Sequence, residues 1–268
     1  MAQENPLMTN NIRHTFAVCA YKDSPYLEKC IISLLSQTVK SNIYISTSTP
    51  SEHISKIADK YNIDVIVNCG EGGITDDWNF ARSHADTEYV TIAHQDDIYE
   101  PTYTQALIER ADRSAKPIVA FCEYYEIRDS EKVYKNRLLK TKRILNFGFR
   151  LFKKSRFIRR RILAMGNSVC CPAVMFNASG CSDFSFDGRF SFACDWDAWE
   201  RLSKRKGTFV YIKTPLVGHR IHKSSATTAL TESGRRFDEE LIMLRRFWPT
   251  PIAKFIARFY SRAADSNE

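Results

Sequence analysis

The first hundred residues alternate strand and helix, and this alternation limits the fold more than any other feature of the chain. His14-Thr-Phe-Ala-Val-Cys-Ala20 reads as a strand, followed at once by a helix with Ser24 as N-cap, Pro25 in its first turn and Leu27, Ile31, Leu34 and Leu35 on one face. Asn42 to Thr47 is a second strand, and Ser51 to Tyr61 a second helix with Ile54, Ile57, Ala58 and Tyr61 inward. Ile63 to Val67 is a third strand. Gly70, Gly72 and Gly73 make a loop, and a helix opens at Asp76 and Asp77, whose charges suit a helix N-terminus. Glu88 to Ala93 is the fourth strand. Connections of this length predict an α/β fold with a mostly parallel central sheet flanked by helices, in which ligands gather beyond the carboxyl ends of the strands.

The second half is less regular. It reads as a helix over 102–112, a strand over 117–124 and then a basic stretch, with a loop-rich passage before a helix over 195–205. One or two short strands follow over 208–217, then a helix over 231–248, broken by Pro249 and Pro251 before a last basic amphipathic helix.

Charge becomes informative once it is located. The net +8 of the 268 residues hides a split: 13 of the 39 Lys and Arg lie between Lys132 and Ser182, where there is no Asp or Glu. Outside that stretch 26 basic residues face 31 acidic ones, so the basic character is a patch suited to phosphate-rich partners. Within 132–163 the apolar residues Leu138, Leu139, Ile144, Leu145, Leu151, Phe152, Ile158 and Ile162 approximate one helical face, as on an anionic membrane surface or a helix packed on the protein with a solvated rim. Ile252, Phe255, Ile256 and Phe259 with Lys254, Arg258 and Arg262 repeat the pattern.

The start of the chain lacks a secretory pattern and no apolar run reaches about 18 residues, so the expectation is a cytoplasmic protein, peripheral at most on the inner face of the membrane. Eight cysteines without a Cys-x-x-Cys pair read as buried thiols rather than a zinc site.

Two acidic constellations stand out. The fourth strand runs into Ala93-His-Gln-Asp-Asp-Ile-Tyr99, which places Asp96 and Asp97 where an open sheet presents its crevice. Neighbouring carboxylates repel, and a divalent cation relieves this while leaving coordination positions for substrate phosphates; a solvated Asp-Asp turn is the plainer reading. About 100 residues on, Cys194-Asp-Trp-Asp-Ala-Trp-Glu-Arg-Leu202 opens a helix with two acids that could also serve as caps. His219-Arg-Ile-His-Lys-Ser-Ser-Ala-Thr-Thr228 follows a predicted strand and suits phosphate or metal contact, or a basic surface turn.

In order and spacing these segments resemble the family-two glycosyltransferases of the GT-A fold, over roughly residues 14–228. Val18 to Leu27, continuing to Ser33-Leu-Leu-Ser-Gln37, looks like the first strand and helix that hold the nucleotide base; Asp76 to Ala81 resembles the segment beside the donor. The resemblance implies a Rossmann-like GT-A domain over 1–230: a donor half over 14–125, a basic helical insertion over 132–163 and an acceptor and catalytic half over 164–230. A helical basic C-terminal extension over 231–268 would follow.

It further implies an inverting transfer from a nucleotide-sugar donor to a glycan or lipid-linked acceptor of cell-envelope type, with Mn2+ or Mg2+. Donor contacts would come from Ala20, Tyr21, Asp23, Thr47, Asp77, Trp78, Asn79, Gln95 and Asp96, and metal contacts from Asp96 and Asp97, with His94 and His222 as weaker ligands. The catalytic base would be Asp195, with Asp197 in reserve, and Arg220, His222 and Trp196 would meet the diphosphate or acceptor. Two family positions differ: His94 replaces the first acid of the metal motif and Cys194 replaces a Glu. Competing readings are a nucleic-acid-binding module built on the basic segment, an inactive nucleotide-sugar-binding relative, and a nucleotidyltransferase, the last weakened by a loop Tyr21-Lys-Asp-Ser-Pro25 without glycine. Nucleic acid is not the expected partner.

Overall fold

The computed structural model describes residues 12–222 and 235–265. The expected alternation is present: β1 (His14–Ala20), α1 (Leu27–Leu35), β2 (Asn42–Thr47), α2 (Glu52–Tyr61), β3 (Asp64–Val67), α3 (Ile74–Ser83) and β4 (Tyr89–His94). β5 (Ile98–Tyr99), α4 (Tyr103–Asp112), β6 (Pro117–Arg128) and β7 (Glu131–Val133) follow, then α5 (Arg137–Leu151) and α6 (Arg156–Leu163). β8 (Val174–Asn177), α7 (Cys194–Ser203), β9 (Thr208–Arg220), α8 (Arg235–Arg245) and α9 (Thr250–Asp265) complete the chain.

The sheet runs in the order β3-β2-β1-β4-β8-β6-β9-β5, with β7 added to β6. β1, β2, β3 and β4 are mutually parallel, β6 and β9 form a second parallel pair, and β8 lies antiparallel between β4 and β6. β8 falls within the passage expected to be loop. Four buried residues carry no usable period, and only the two neighbouring strands give them a place. The pair read as one or two short strands at 208–217 is a single strand of 13 residues.

Both faces of the sheet are covered, as a parallel sheet requires. Phe16, Val18 and Ala20 of β1 pack with α1, α2 and α4, whereas Ala17 and Cys19 point to the layer holding α3, α6, α7 and the C-terminal helices. The 231–268 helices are therefore more than an appendage: Met243, Leu244, Ala253 and Ala257 are fully buried in that layer, and the Trp248 indole N–H donates to the Ala164 carbonyl. Residues 231–234 of the expected helix lie outside the described residues.

Local signals explain most boundaries. Ser51, Asn136 and Ser155 each accept a hydrogen bond from the backbone N–H three residues on and cap α2, α5 and α6. Ser24 does not cap α1, which starts at Leu27 without a side-chain cap. Its hydroxyl is committed elsewhere.

Candidate active site

Asp96 and Asp97 follow the end of β4, and β9 brings His219, Arg220 and His222 to meet them. The Ser24 hydroxyl donates to Asp96 Oδ1 at 2.6 Å, and His222 Nε2 lies 3.1 Å from Asp96 Oδ2. Arg220 Nε donates to the Asp96 carbonyl at 2.9 Å, while its guanidinium sits 4.3 Å from the centre of the Tyr26 ring. The end of β9 is thus clamped over the turn that carries both acids.

The two acids have different surroundings. Asp96 keeps 23% of its side chain exposed, whereas Asp97 keeps 1%. Asp97 accepts from the Arg220 backbone N–H at 2.9 Å and faces His219 Nδ1 at 3.1 Å. Burial pushes the Asp97 carboxyl up, but His219, His94 and the Arg220 N–H outweigh burial and hold it below the usual carboxylate range. Asp97 is thus bonded to β9, and Asp96 is the more exposed acid of the pair expected to meet a metal.

His94 has surroundings of its own. It stacks on Trp78 with ring centres 5.1 Å apart, its Nε2 is buried with no hydrogen-bond partner, and burial holds the imidazole below its ordinary value despite Asp97 nearby. A neutral ring with an orphaned nitrogen therefore borders the crevice. Among the described residues no group of three or more His, Cys, Asp or Glu is arranged around a metal. Asp96 and His222 supply a two-member oxygen and nitrogen set that suits Mn2+ better than Mg2+, the remaining positions being of the kind that substrate phosphates fill.

The expected donor residues line the ends of β1 to β4. Gln95 and the Tyr21 backbone exchange two hydrogen bonds, at 3.1 and 3.0 Å, tying the turn after β1 to the turn after β4. Asp23 accepts from the Ser51 hydroxyl and Thr47 from the Thr49 N–H. Asp77 accepts from Ser48 and Asn68. Ala20 is buried at the end of β1. The Asn79 amide is used on both sides by the Phe186 backbone, accepting at 2.7 Å and donating at 3.0 Å, and so fixes the 186 loop.

Asp195 opens α7, where Asn167 Nδ2 donates to Oδ2 at 2.7 Å and the Trp196 N–H to Oδ1 at 2.7 Å. Burial pushes its carboxyl above the ordinary range, against the pull of Asn167, the Trp196 N–H and the positive charge of Lys142. Lys142 comes from α5, is bonded to the Tyr124 hydroxyl at 3.0 Å and stays protonated. The thiol of Cys170 is pushed well up, first by burial and then by Asp97 and Asp195 together, with Lys142 opposing. Carboxylates 98 positions apart in the chain, at 97 and 195, are thus both close enough to Cys170 to act on its thiol.

Two neighbours of Asp195 do not share its setting. Asp197, the reserve base, is fully buried and neutralised by Arg201 at 2.8 Å and Arg246 at 2.6 Å, joining α7 to the C-terminal helices. Trp196, expected at the diphosphate or acceptor, is 3% exposed and donates its indole N–H to the Leu163 carbonyl. Both belong to the packing of α7. Sequence reasoning overlooked Lys142, Asn167, Cys170 and Ser24. His219 lay in a quoted motif without a role of its own.

Solved structures share this fold at low identity. S. aureus TarS superposes with a TM-score of 0.59 at 12% identity over 91% of this chain, which spans 42% of the TarS chain. TarS 1-349 in complex with UDP-GlcNAc gives 0.60 at 13% identity, covering 92% of this chain and 70% of that one. The Pyrobaculum calidifontis mannosyltransferase PcManGT, in complex with GDP-Man and Mn2+, gives 0.60 at 12% identity, covering 93% and 69%. No curated protein sequence matches the chain. The family model described as Glycosyl transferase family 2 matches residues 15–181, well over half the chain. On that match, and with a GT-A-like sheet beneath the site, the chain belongs to glycosyltransferase family 2.

Proposed function

We propose that this glycosyltransferase moves a sugar from a nucleoside-diphosphate donor to a hydroxyl of a glycan or lipid-linked acceptor of cell-envelope type, with inversion at the anomeric carbon and Asp195 as general base. The acceptor O–H bond breaks and its proton passes to Asp195, while the new oxygen–carbon bond forms on the face opposite the departing diphosphate. The diphosphate leaves with the electron pair of the broken bond. A carboxyl held above its ordinary value by burial, yet steadied by Lys142, is a better proton acceptor than a solvated one.

The observation that carries this reading is the run of contacts from Asp97 through His219 Nδ1 at 3.1 Å and the Tyr124 ring, 6.0 Å from that of His219, to Lys142, 3.0 Å from the Tyr124 hydroxyl, whose charge acts on Asp195. Asp96 and His222 would hold a divalent cation, Mn2+ or Mg2+, whose contribution is to neutralise the departing diphosphate. Asp97 acts behind them by holding the β9 end in place. Arg220 fixes the Asp96 turn, and the exposed Tyr21 and Asp23 with the half-buried Asp77 and Gln95, beside the Trp78–His94 stack, receive the nucleoside. TarS with UDP-GlcNAc and PcManGT with GDP-Man and Mn2+ support the donor class and the cation by likeness of fold.

Among the described residues no helix is long and apolar enough to cross a membrane, and we place the enzyme in the cytoplasm, at the inner face of the membrane where a lipid-linked acceptor lies. Thermal unfolding with UDP, GDP and their sugar conjugates, with and without Mn2+ or Mg2+, tests the donor reading. Stabilisation that needs nucleotide and cation together and vanishes in Asp96→Ala supports it; a parent protein indifferent to all of them overturns it.

A further inference from the structure

The structure divides the 13 basic residues of the 132–163 stretch by their surroundings. The inner group is committed: Lys142 and Arg143 face Tyr124 and Glu123, Arg160 pairs with Glu200, and Arg159 is fully buried, donating to the carbonyls of Ser203, Arg205 and Gly207 behind α7. Of the other nine, Lys132, Lys135, Arg137 and Lys140 precede or open α5, with Lys132 paired to Glu100, whereas Arg150, Lys153, Lys154, Arg156 and Arg161 form an outer group at or beside the turn between α5 and α6, near the start of β6 and β9. The Lys153 carbonyl accepts the Phe209 N–H there.

Two hollows flank this turn. One, of about 360 Å3, is lined by Arg110, Arg113, Arg150 and Lys213 with Glu109 as its single acid; the other, of about 300 Å3, is lined by Lys116, Lys154, Arg156 and Lys206 with no acid. The same α5–α6 segment exposes apolar side chains. Ile144 is 66% exposed, Leu151 61% and Phe157 70%, with Phe147 and Phe152 also exposed. Ile144, Phe147 and Leu151 fall three and four positions apart on α5, opposite the buried Leu139, Asn146 and Phe149, so they form one outward stripe. Arg161 lies between the Phe157 and Trp248 rings, at 5.7 and 5.6 Å from their centres, and links this stripe to the start of α9, where Ile252 and Phe255 are exposed.

Adjacent apolar side chains on a protein surface need a cover, and eight cations against one acid define what can cover these. We propose that the α5–α6 turn is a docking surface for an anionic lipid bilayer: Leu151, Phe152 and Phe157 enter the headgroup boundary while the two basic hollows receive lipid phosphates. An acidic protein surface would meet the cations but offers no apolar layer deep enough for three projecting side chains; the bilayer offers both at once. The proposal gives a physical form to the membrane placement above and is independent of the transfer chemistry.

Co-sedimentation of the full chain with vesicles tests it, using pure phosphatidylcholine and phosphatidylcholine with 30% phosphatidylglycerol at about 0.1 M salt. The parent is expected to pellet with the anionic vesicles and to stay in solution with the neutral ones. Lys154→Gln/Arg156→Gln/Lys206→Gln should weaken the partition roughly a hundredfold, at about one decade for each one to two cations removed. Leu151→Ser/Phe157→Ser should weaken it at least about tenfold at unchanged charge. Both variants should unfold at the parent temperature and keep the nucleotide response, which separates failure of docking from failure of the donor reading. Equal pelleting with both vesicle types, no pelleting with either, or variants that pellet like the parent overturn the proposal. So does self-association of the parent in solution that the Leu151→Ser/Phe157→Ser variant loses, because the cover would then be a second copy of the chain.

Discussion

The parallel pair β6 and β9 has two ends built on opposite principles. At the end of β9, Asp97 is buried and satisfied by His219 and the Arg220 N–H, and Asp96 is held by Ser24 and His222. At the start of β9, eight cations line two open hollows around projecting apolar side chains. Buried charges that are bonded on several sides are fixed in position, as a reacting centre requires. Exposed charges, of which only Arg113 is ion-paired, to Glu109, among the described residues, suit a surface whose bound partner is fluid. Function divides accordingly: substitutions at the first end should change chemistry or folding, and substitutions at the second should change only where the molecule sits.

The largest effect belongs to Asp195→Asn. The exchange keeps size and polarity but removes the proton acceptor, so kcat should fall by about 10^2 to 10^4 while nucleotide stabilisation stays as in the parent. Steady-state kinetics beside thermal shift separates the two, and a fall of less than tenfold would remove Asp195 from the mechanism. Asp96→Ala comes next. Losing the exposed acid of the pair should cost roughly 10- to 100-fold in the affinity for a nucleoside diphosphate with Mn2+, measured by calorimetry, and little in stability. A binding constant unmoved by the change would mean that the carboxylate open to the crevice does not serve the donor.

Asp97→Asn should show the reverse pattern. It leaves His219 without its buried counter-charge, for about 3 kcal/mol of lost stability, or a melting temperature lower by roughly 10 °C in a chain of this size. A variant that melts with the parent yet loses cation-dependent binding would make Asp97 the ligand that the sequence reading expects.

These contrasts show what could be read without coordinates. The strands before residue 95 were legible because alternation and helix period survive in the residues themselves, and so were the places of Asp96 just after a strand and Asp195 in the first turn of a helix. The partners that set the two members of each acidic pair apart were not legible. Asp97 differs from Asp96, and Asp197 from Asp195, only through partners that arrive from β9, α7 and α8–α9: His219, Arg201 and Arg246. Ser24 reads as a helix cap by every local rule, and only the approach of the 96 turn, 72 residues away, claims its hydroxyl. Lys142 was hidden for another reason: within a basic run, nothing local distinguishes the one lysine that turns inward to Tyr124 from those that turn outward.

Lys142 therefore offers the smallest effect and the most discriminating one. Asp195 works only as the carboxylate, so activity must fall as pH drops through its value, and because burial raises that value the acid limb should lie above the ordinary carboxylate range. Lys142 contributes in the opposite direction, since its positive charge favours the carboxylate. Lys142→Met removes that charge while keeping most of the side-chain volume, so the acid limb of kcat/KM should move to higher pH with the plateau little changed. Neutralising Lys154, which belongs to the outer group at the far end of β9, should leave the limb in place. A purely structural Lys142 would lower the plateau without moving the limb, and a limb that moves equally in both variants would mean that the field of the whole basic segment, and not one inward-facing ammonium, sets the protonation of Asp195.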